Sequence, residues 1–134
     1  MITYSTEPDL APAEFARVLA ESGLGAQRPI GDAPRLAAML ANASLILTAR
    51  LETGELIGVA RIISDSVWCA YLPELAISPS AQGLGAGKGL LNHARETLGP
   101  QVALILISVP EAIGFYEHAG MERIPDAFWY KRES

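Results

Sequence analysis

The stretch Leu75–Leu91, LAISPSAQGLGAGKGLL, joins an apolar strand to a glycine-rich loop in which a helix begins. Glycine lets a backbone approach a ligand more closely than a residue with a Cβ can. The first four N–H groups of a helix have no partner within it and lie at the positive end of its dipole. The stretch therefore predicts a binding site for a diphosphate at the start of this helix. The loop holds four glycines: Gly83, Gly85, Gly87 and Gly89.

Three phosphate-binding motifs contain glycines of this kind, and their spacing separates them. A Walker A loop has glycine five residues before its Gly-Lys pair and Ser or Thr directly after it. Here Gln82 and Gly89 occupy these two places. A dinucleotide fingerprint has the spacing GxGxxG, which strictly alternating glycines do not follow. Both readings as a nucleotide-binding protein are therefore disfavoured.

The third motif fits this chain. Residues 82–87, Gln-x-x-Gly-x-Gly, resemble the acetyl-CoA loop of the GNAT N-acetyltransferase superfamily, Arg/Gln-x-x-Gly-x-Gly/Ala. Tyr71–Ser78 (YLPELAIS) resembles the family's fourth strand and Val102–Ser108 (VALILIS) its fifth. Ala112–Met121 (AIGFYEHAGM) resembles the family's Ala-x-x-Phe-Tyr-Glu-x-x-Gly-Phe helix and turn. The resemblance is strong from about Leu72 to the C-terminus and general before it.

The resemblance implies an α/β (α+β) chain with the GNAT-like acyl-CoA N-acyltransferase fold. We expect a mixed central sheet of about six to seven strands flanked by about four helices, with residues 1–134 as one domain. The apolar periodicity predicts the order β-α-α-β-β-β-α-β-α-β. Leu45–Leu51 and Leu56–Ile63 should form an antiparallel pair across Glu52–Glu55. One more strand is predicted at Phe128–Lys131.

Composition limits the classes of function. The net charge of −5 and the scattered basic residues argue against a nucleic-acid partner, and favour a cationic substrate weakly. No apolar run is long enough to predict a membrane span, and the first residues lack the pattern of a secretory signal, so we expect a cytoplasmic protein without a membrane partner. Cys69, the only cysteine, excludes an intrachain disulfide and is expected to be a buried apolar thiol.

The resemblance assigns a cosubstrate, acetyl-CoA, and no metal. The pantetheine arm should pair with the backbone of Leu75, Ala76 and Ile77 like an added strand. Many relatives carry Asn three residues before the alanine of the second motif, where this chain has Val109. Ser108 or a backbone carbonyl is the expected substitute. Backbone N–H groups from Gln82 to Lys88 should bind the pyrophosphate, which makes the loop's candidate residues Gln82, Gly83, Leu84, Gly85, Ala86, Gly87 and Lys88.

Two side chains are candidates for proton transfer. Tyr116 corresponds to the tyrosine that the family often places beside the CoA sulfur as general acid; the alternative is a helix tyrosine that packs against Phe115 and Met121 with its hydroxyl at the surface. Glu74 is the leading candidate for general base, because it lies on the fourth strand beside a bulge that relatives have there. A solvated strand carboxylate is the alternative for Glu74. Other candidates for the base are Asp65, Asp126 and His118.

These assignments predict an N-acetyltransferase that moves acetyl from acetyl-CoA to a primary amine of a small molecule or peptide, by direct attack in a ternary complex. A non-catalytic sensor of CoA or acyl-CoA is the alternative. The resemblance also allows a homodimer. The candidate walls of the acceptor site are Arg28, Arg61, Asp65, Trp68 and Tyr71.

Overall fold

The computed structural model describes residues 1–134 and is built around one five-stranded sheet in the order β1-β2-β3-β4-β5. Neighbouring strands are antiparallel from β1 to β4, and β5 is parallel to β4. The strands are β1 (Ile2–Thr6), β2 (Leu45–Leu51), β3 (Leu56–Ser64), β4 (Cys69–Ile77) and β5 (Ala103–Ile105). The helices are α1 (Pro12–Ser22), α2 (Ala33–Ala41), α3 (Ala86–Leu98) and α4 (Ile113–His118).

Helices cover both faces of this sheet. The amphipathic pattern of α1 places Phe15, Val18 and Leu19 against one face, where α2 packs beside it. On the other face α3 packs through Leu90 and Ala94. The predicted mixed sheet and helix number are confirmed. None of the helices combines the length and the apolarity needed to cross a membrane.

The sheet has fewer strands than the six to seven predicted. Residues 128–131 form no strand, and no backbone hydrogen bond joins residues 122–134 to the rest of the chain. Aromatic residues favour strands, but a strand also needs a partner edge, and this segment lies unpaired with Phe128 and Tyr130 exposed. The buried thiol predicted for Cys69 is also wrong, because this first residue of β4 is exposed.

Pairing between β4 and β5 is short. It comprises the three pairs Cys69↔Ala103, Ala70↔Leu104 and Tyr71↔Ile105. The segment predicted as strand up to Ser108 leaves the sheet after Ile105. Beyond Tyr71, β4 therefore pairs only with β3, and its other edge is open.

A β-bulge lies in β4 at residues 72–73. Arg61 pairs with Glu74 while Ile63 pairs with Tyr71, so β4 advances three residues where β3 advances two. The side chains confirm the extra residue: Leu72 contributes to the core beneath α3, and after the bulge Leu75 takes that face. Without the bulge, Glu74 would point into the apolar core under α3; with it, Glu74 faces the side of α1 and α2.

Two of the four glycines predicted to form the phosphate loop lie within α3 and serve packing. A Cβ on Gly89 would lie 1.9 Å from the hydroxyl oxygen of Tyr4, and one on Gly87 would lie 3.0 Å from Phe115. These glycines let β1 and α4 approach the helix closely. The loop proper is therefore shorter than the sequence suggested.

Candidate active site

A cleft of about 1520 Å³ opens where β4 loses its parallel neighbour. One wall is the glycine loop and the first turn of α3, and another is the connection between α1 and α2. The segment after β5, α4 and the C-terminal tail complete the lining. The glycine loop, the open edge of β4 and Tyr116, the predicted general acid, thus line one cavity.

The glycine loop presents unpaired backbone donors. Gly83 and Gly85 have φ values of +84° and +79°, which a residue with a Cβ adopts at a cost. Gly85 is the N-cap of α3 and carries no capping side chain, so the first N–H groups of the helix are left open. Five backbone N–H groups donate to no acceptor within the chain: those of Gly83, Gly85, Ala86, Gly87 and Lys88.

Most of the residues predicted to bind the cofactor line the cleft. On β4 these are Leu75 and Ile77, whereas the side chain of Ala76 points into the core beside α1. In the loop Leu84 does not line the cleft and is exposed. The loop residues that do are Gln82, Gly83, Gly85, Ala86, Gly87 and Lys88.

Glu74 is held between two guanidinium groups. Its Oε2 accepts hydrogen bonds from Arg28 Nε at 2.7 Å and Arg61 Nη2 at 3.2 Å, and its Oε1 accepts one from Arg61 Nε. The side chain is only 2% exposed. A general base needs an oxygen that the acceptor proton or a water can reach. This geometry favours a positioning role for Glu74 over proton abstraction.

Arg28 links the α1–α2 connection to the bulge of β4. Its Nη2 donates to the carbonyl oxygen of Pro73 at 2.6 Å, and its Nε binds Glu74. The sequence named Arg28 and Arg61 as cleft walls but did not pair them with Glu74. The signal was present, because Arg61 and Glu74 interrupt apolar strands and a buried charge requires a partner.

Tyr116 lies in the cleft on α4, half-buried beside Phe115, with 5.0 Å between the two ring centroids. Its hydroxyl makes no hydrogen bond within the chain, and burial raises the pKa of this phenol above its usual 10.0. The group is thus protonated at neutral pH and able to donate. Ser108 and Val109 line the same cleft, and the Ser108 hydroxyl donates to the carbonyl oxygen of Val109.

Several predicted residues lie elsewhere. The Asp65 carboxylate accepts N–H bonds from residues 67–69 in the β3–β4 turn, and these bonds hold its pKa below 3.8. Trp68, Asp126 and His118 also lie outside the cleft lining, whereas Tyr71 is part of it. Four cleft residues could not be predicted from the sequence, because their places depend on where α2 and the C-terminal tail pass: Arg35, Trp129, Lys131 and Arg132.

Comparison with known proteins agrees with this geometry. The chain matches the model of the acetyltransferase (GNAT) family over residues 13–121. It is 31% identical over 102 residues to the uncharacterized N-acetyltransferase ycf52 of Pyropia yezoensis, covering 69% of this chain and 59% of that protein. It is 33% identical over 82 residues to serotonin N-acetyltransferase 2, chloroplastic, of Oryza sativa subsp. japonica, covering 60% of this chain and 41% of that protein.

The fold is shared with solved structures over its whole length. A GNAT-family acetyltransferase from Streptococcus pneumoniae TIGR4 superposes with a TM-score of 0.75 at 22% identity, covering 99% of this chain and all of that chain. The chain belongs to the GNAT acetyltransferase family. It spans between two fifths and three fifths of the curated relatives named above.

The ion cluster at Glu74 leads to a stability prediction. Glu74→Gln should lower the free energy of unfolding by about 3–5 kcal/mol, because it leaves two guanidinium groups without their shared anion. Arg28→Gln should cost less, about 1.5–3 kcal/mol, because Glu74 keeps Arg61 as a partner. Urea denaturation of both variants at pH 7 measures the difference. An equal or reversed order would mean that Glu74 is not the centre of the cluster.

Proposed function

We propose that this protein is an acetyl-CoA-dependent N-acetyltransferase that acts on a primary amine of a small molecule or peptide. The observation that carries the proposal is the run of unpaired backbone N–H groups at Gly83 and Gly85–Lys88, which faces a cleft along the open edge of β4. A diphosphate satisfies these donors, and the dipole of the 13-residue helix α3 adds to the attraction.

Acetyl-CoA, the acetyl donor, would lie along the cleft from the glycine loop to the bulge of β4. The loop amides bind the pyrophosphate of CoA. Positive charge for the third phosphate of CoA comes from Lys88, Lys131 and Arg132. The pantetheine amides then pair with backbone groups of β4 beyond Tyr71, which β5 leaves open. This arrangement would place the thioester near the bulge, between Glu74 and Tyr116.

Acetyl transfer proceeds by attack of the neutral amine nitrogen on the thioester carbonyl carbon. The C–N bond forms, the C–S bond breaks as the tetrahedral adduct collapses, and the nitrogen loses a proton. The Tyr116 hydroxyl gives its proton to the departing thiolate and regains one from solvent. Because burial raises the pKa of Tyr116, the acid form is present throughout the neutral range.

For removal of the amine proton, the contacts of Glu74 support water as the proton acceptor rather than Glu74, the leading candidate from the sequence. Both oxygens of Glu74 accept from guanidinium groups, and its side chain is almost fully buried. We therefore propose that water in the cleft takes up the proton, and that Glu74 fixes the guanidinium groups of Arg28 and Arg61 nearby.

The acceptor class is supported by a relative. The rice relative is named for serotonin, whose acetylated group is a primary amine.

Cofactor binding is tested by two substitutions that differ only in charge. Asp and Asn both tolerate the left-handed conformation of Gly85 better than other residues with a Cβ, and a Cβ there meets no atom within 4 Å. Gly85→Asp should weaken acetyl-CoA binding at least tenfold relative to Gly85→Asn, because a carboxylate would face the pyrophosphate. Isothermal titration calorimetry measures both affinities, and matching melting temperatures control for folding. Equal affinities would remove the loop from the cofactor site.

The general acid is tested at Tyr116. Tyr116→Phe keeps the ring beside Phe115, so acetyl-CoA affinity should be unchanged. Turnover should fall by about 10²–10⁴-fold, the range of general-acid effects. The loss should shrink with a thioester donor whose thiol is more acidic, since such a thiolate leaves without a proton. Steady-state rates with matched donors measure both effects. Unchanged turnover in Tyr116→Phe would leave Tyr116 as a packing residue.

A further inference from the structure

Charged side chains are distributed unequally between the cleft and the rest of the surface. Six of the ten Lys and Arg residues line the cleft, but only one of the fifteen Asp and Glu residues does, namely Glu74. The cleft is therefore strongly positive in a protein whose net charge is −5. Such a concave positive surface concentrates anions. The six are Arg28, Arg35, Arg61, Lys88, Lys131 and Arg132.

Three of these residues form a group that the donor phosphates do not explain. Arg28 follows the 3₁₀ turn after α1, Arg35 lies in the first turn of α2, and Arg61 lies on β3. We call these three the arginine cluster. Glu74 is the one carboxylate side chain on the cleft lining that balances them, so the cluster has an excess of two positive charges.

Two members of the arginine cluster are available to a ligand. Arg61 is buried, and its guanidinium donates hydrogen bonds to Glu74 and to the carbonyl oxygen of Met39. Arg28 is fixed by Glu74 and Pro73, yet 21% of its side chain is exposed. The guanidinium of Arg35 is exposed and makes no hydrogen bond or ion pair within the chain.

The arginine cluster is set apart from the glycine loop. Arg28 is anchored at Glu74, three residues before β4 ends at Ile77. At about 3.3 Å per residue, this places the anchor roughly 10 Å before the end of the strand. The loop follows that end, so a diphosphate on the loop amides leaves Arg28 at the part of the cleft where we place the thioester and the incoming acceptor. Arg35 lines the same cleft one helical turn before Met39 on α2, and the Met39 carbonyl oxygen accepts a hydrogen bond from Arg61 of the arginine cluster.

We propose that the acceptor amine also carries an oxyanion, a carboxylate or a phosphate, which binds Arg35 and the exposed edge of Arg28. Guanidinium groups bind both oxyanions through paired, charge-assisted hydrogen bonds. This inference rests on the proposed function. The excess positive charge repels a purely cationic amine, and it lowers the pKa of an ammonium group nearby. The neutral nucleophile is therefore favoured without a carboxylate base.

The test compares acceptors that differ in one oxyanion group. Each of a panel of α-, β- and γ-amino acids is assayed beside its primary amide, and phosphoethanolamine beside ethanolamine, with acetyl-CoA as donor. The wild-type protein should prefer at least one acceptor that carries an oxyanion over its partner that lacks the oxyanion, by at least tenfold in kcat/KM. Arg35→Gln should reduce that preference by tenfold or more through KM for the acceptor, while the KM for acetyl-CoA is unchanged. Arg95→Gln, an exposed arginine outside the cleft, should keep the wild-type preference.

The outcomes separate this inference from the proposed function. Turnover of amines without a preference for those that carry an oxyanion would overturn the inference and leave the proposed function standing. A loss in Arg35→Gln that falls on the KM for acetyl-CoA would also overturn it, because Arg35 would then bind the donor. The carboxylate and phosphate pairs show which oxyanion is selected. If no amine is acetylated, the proposed function fails, and calorimetric titration of the CoA-loaded protein with the same pairs still tests the oxyanion site: equal or absent binding overturns it.

Discussion

The structure depends on the early end of the hydrogen-bonded ladder between β4 and β5. Only three residue pairs join the two strands, and beyond Tyr71 one edge of β4 has no neighbour. Unpaired backbone groups in the middle of a domain are unfavourable unless a ligand or water satisfies them. The chain continues from this open edge into the glycine loop, whose N–H groups are also unpaired. The two unsatisfied surfaces follow one another along the chain, which supports the proposal of an extended ligand with a diphosphate at one end.

The bulge in β4 determines which face of the sheet Glu74 occupies. The extra residue at 72–73 changes which side chains face which helix layer, and so moves Glu74 out of the core under α3. Glu74 then meets Arg61 from β3 and Arg28 from the α1–α2 connection. A buried ion pair of this kind is weak evidence for stability by itself. Its consequence here is geometric, because it fixes one arginine at the rim of the cleft, where Arg35 adds a second positive charge.

The sequence predicted those features that depend on local pattern. The glycine motif, the start of a helix within the glycine loop and the antiparallel pairing of β2 with β3 follow from residue type and periodicity. The sequence did not predict the features that depend on tertiary contact. Gly87 and Gly89 resemble loop glycines, yet their small size is needed against Phe115 and Tyr4. The net charge of −5 also does not describe the cleft, because it averages an acidic surface with a positive cleft.

We propose that acetyl-CoA lies on the loop amides and along the open edge of β4. Backbone amide spectra of ¹⁵N-labelled protein, recorded while acetyl-CoA is added, test this claim residue by residue. Large shifts and slowed hydrogen exchange are expected at Gly83 and at Gly85–Lys88, with a second group of shifts on β4 beyond Tyr71. Saturable binding that leaves these amides unchanged and shifts others instead would contradict it.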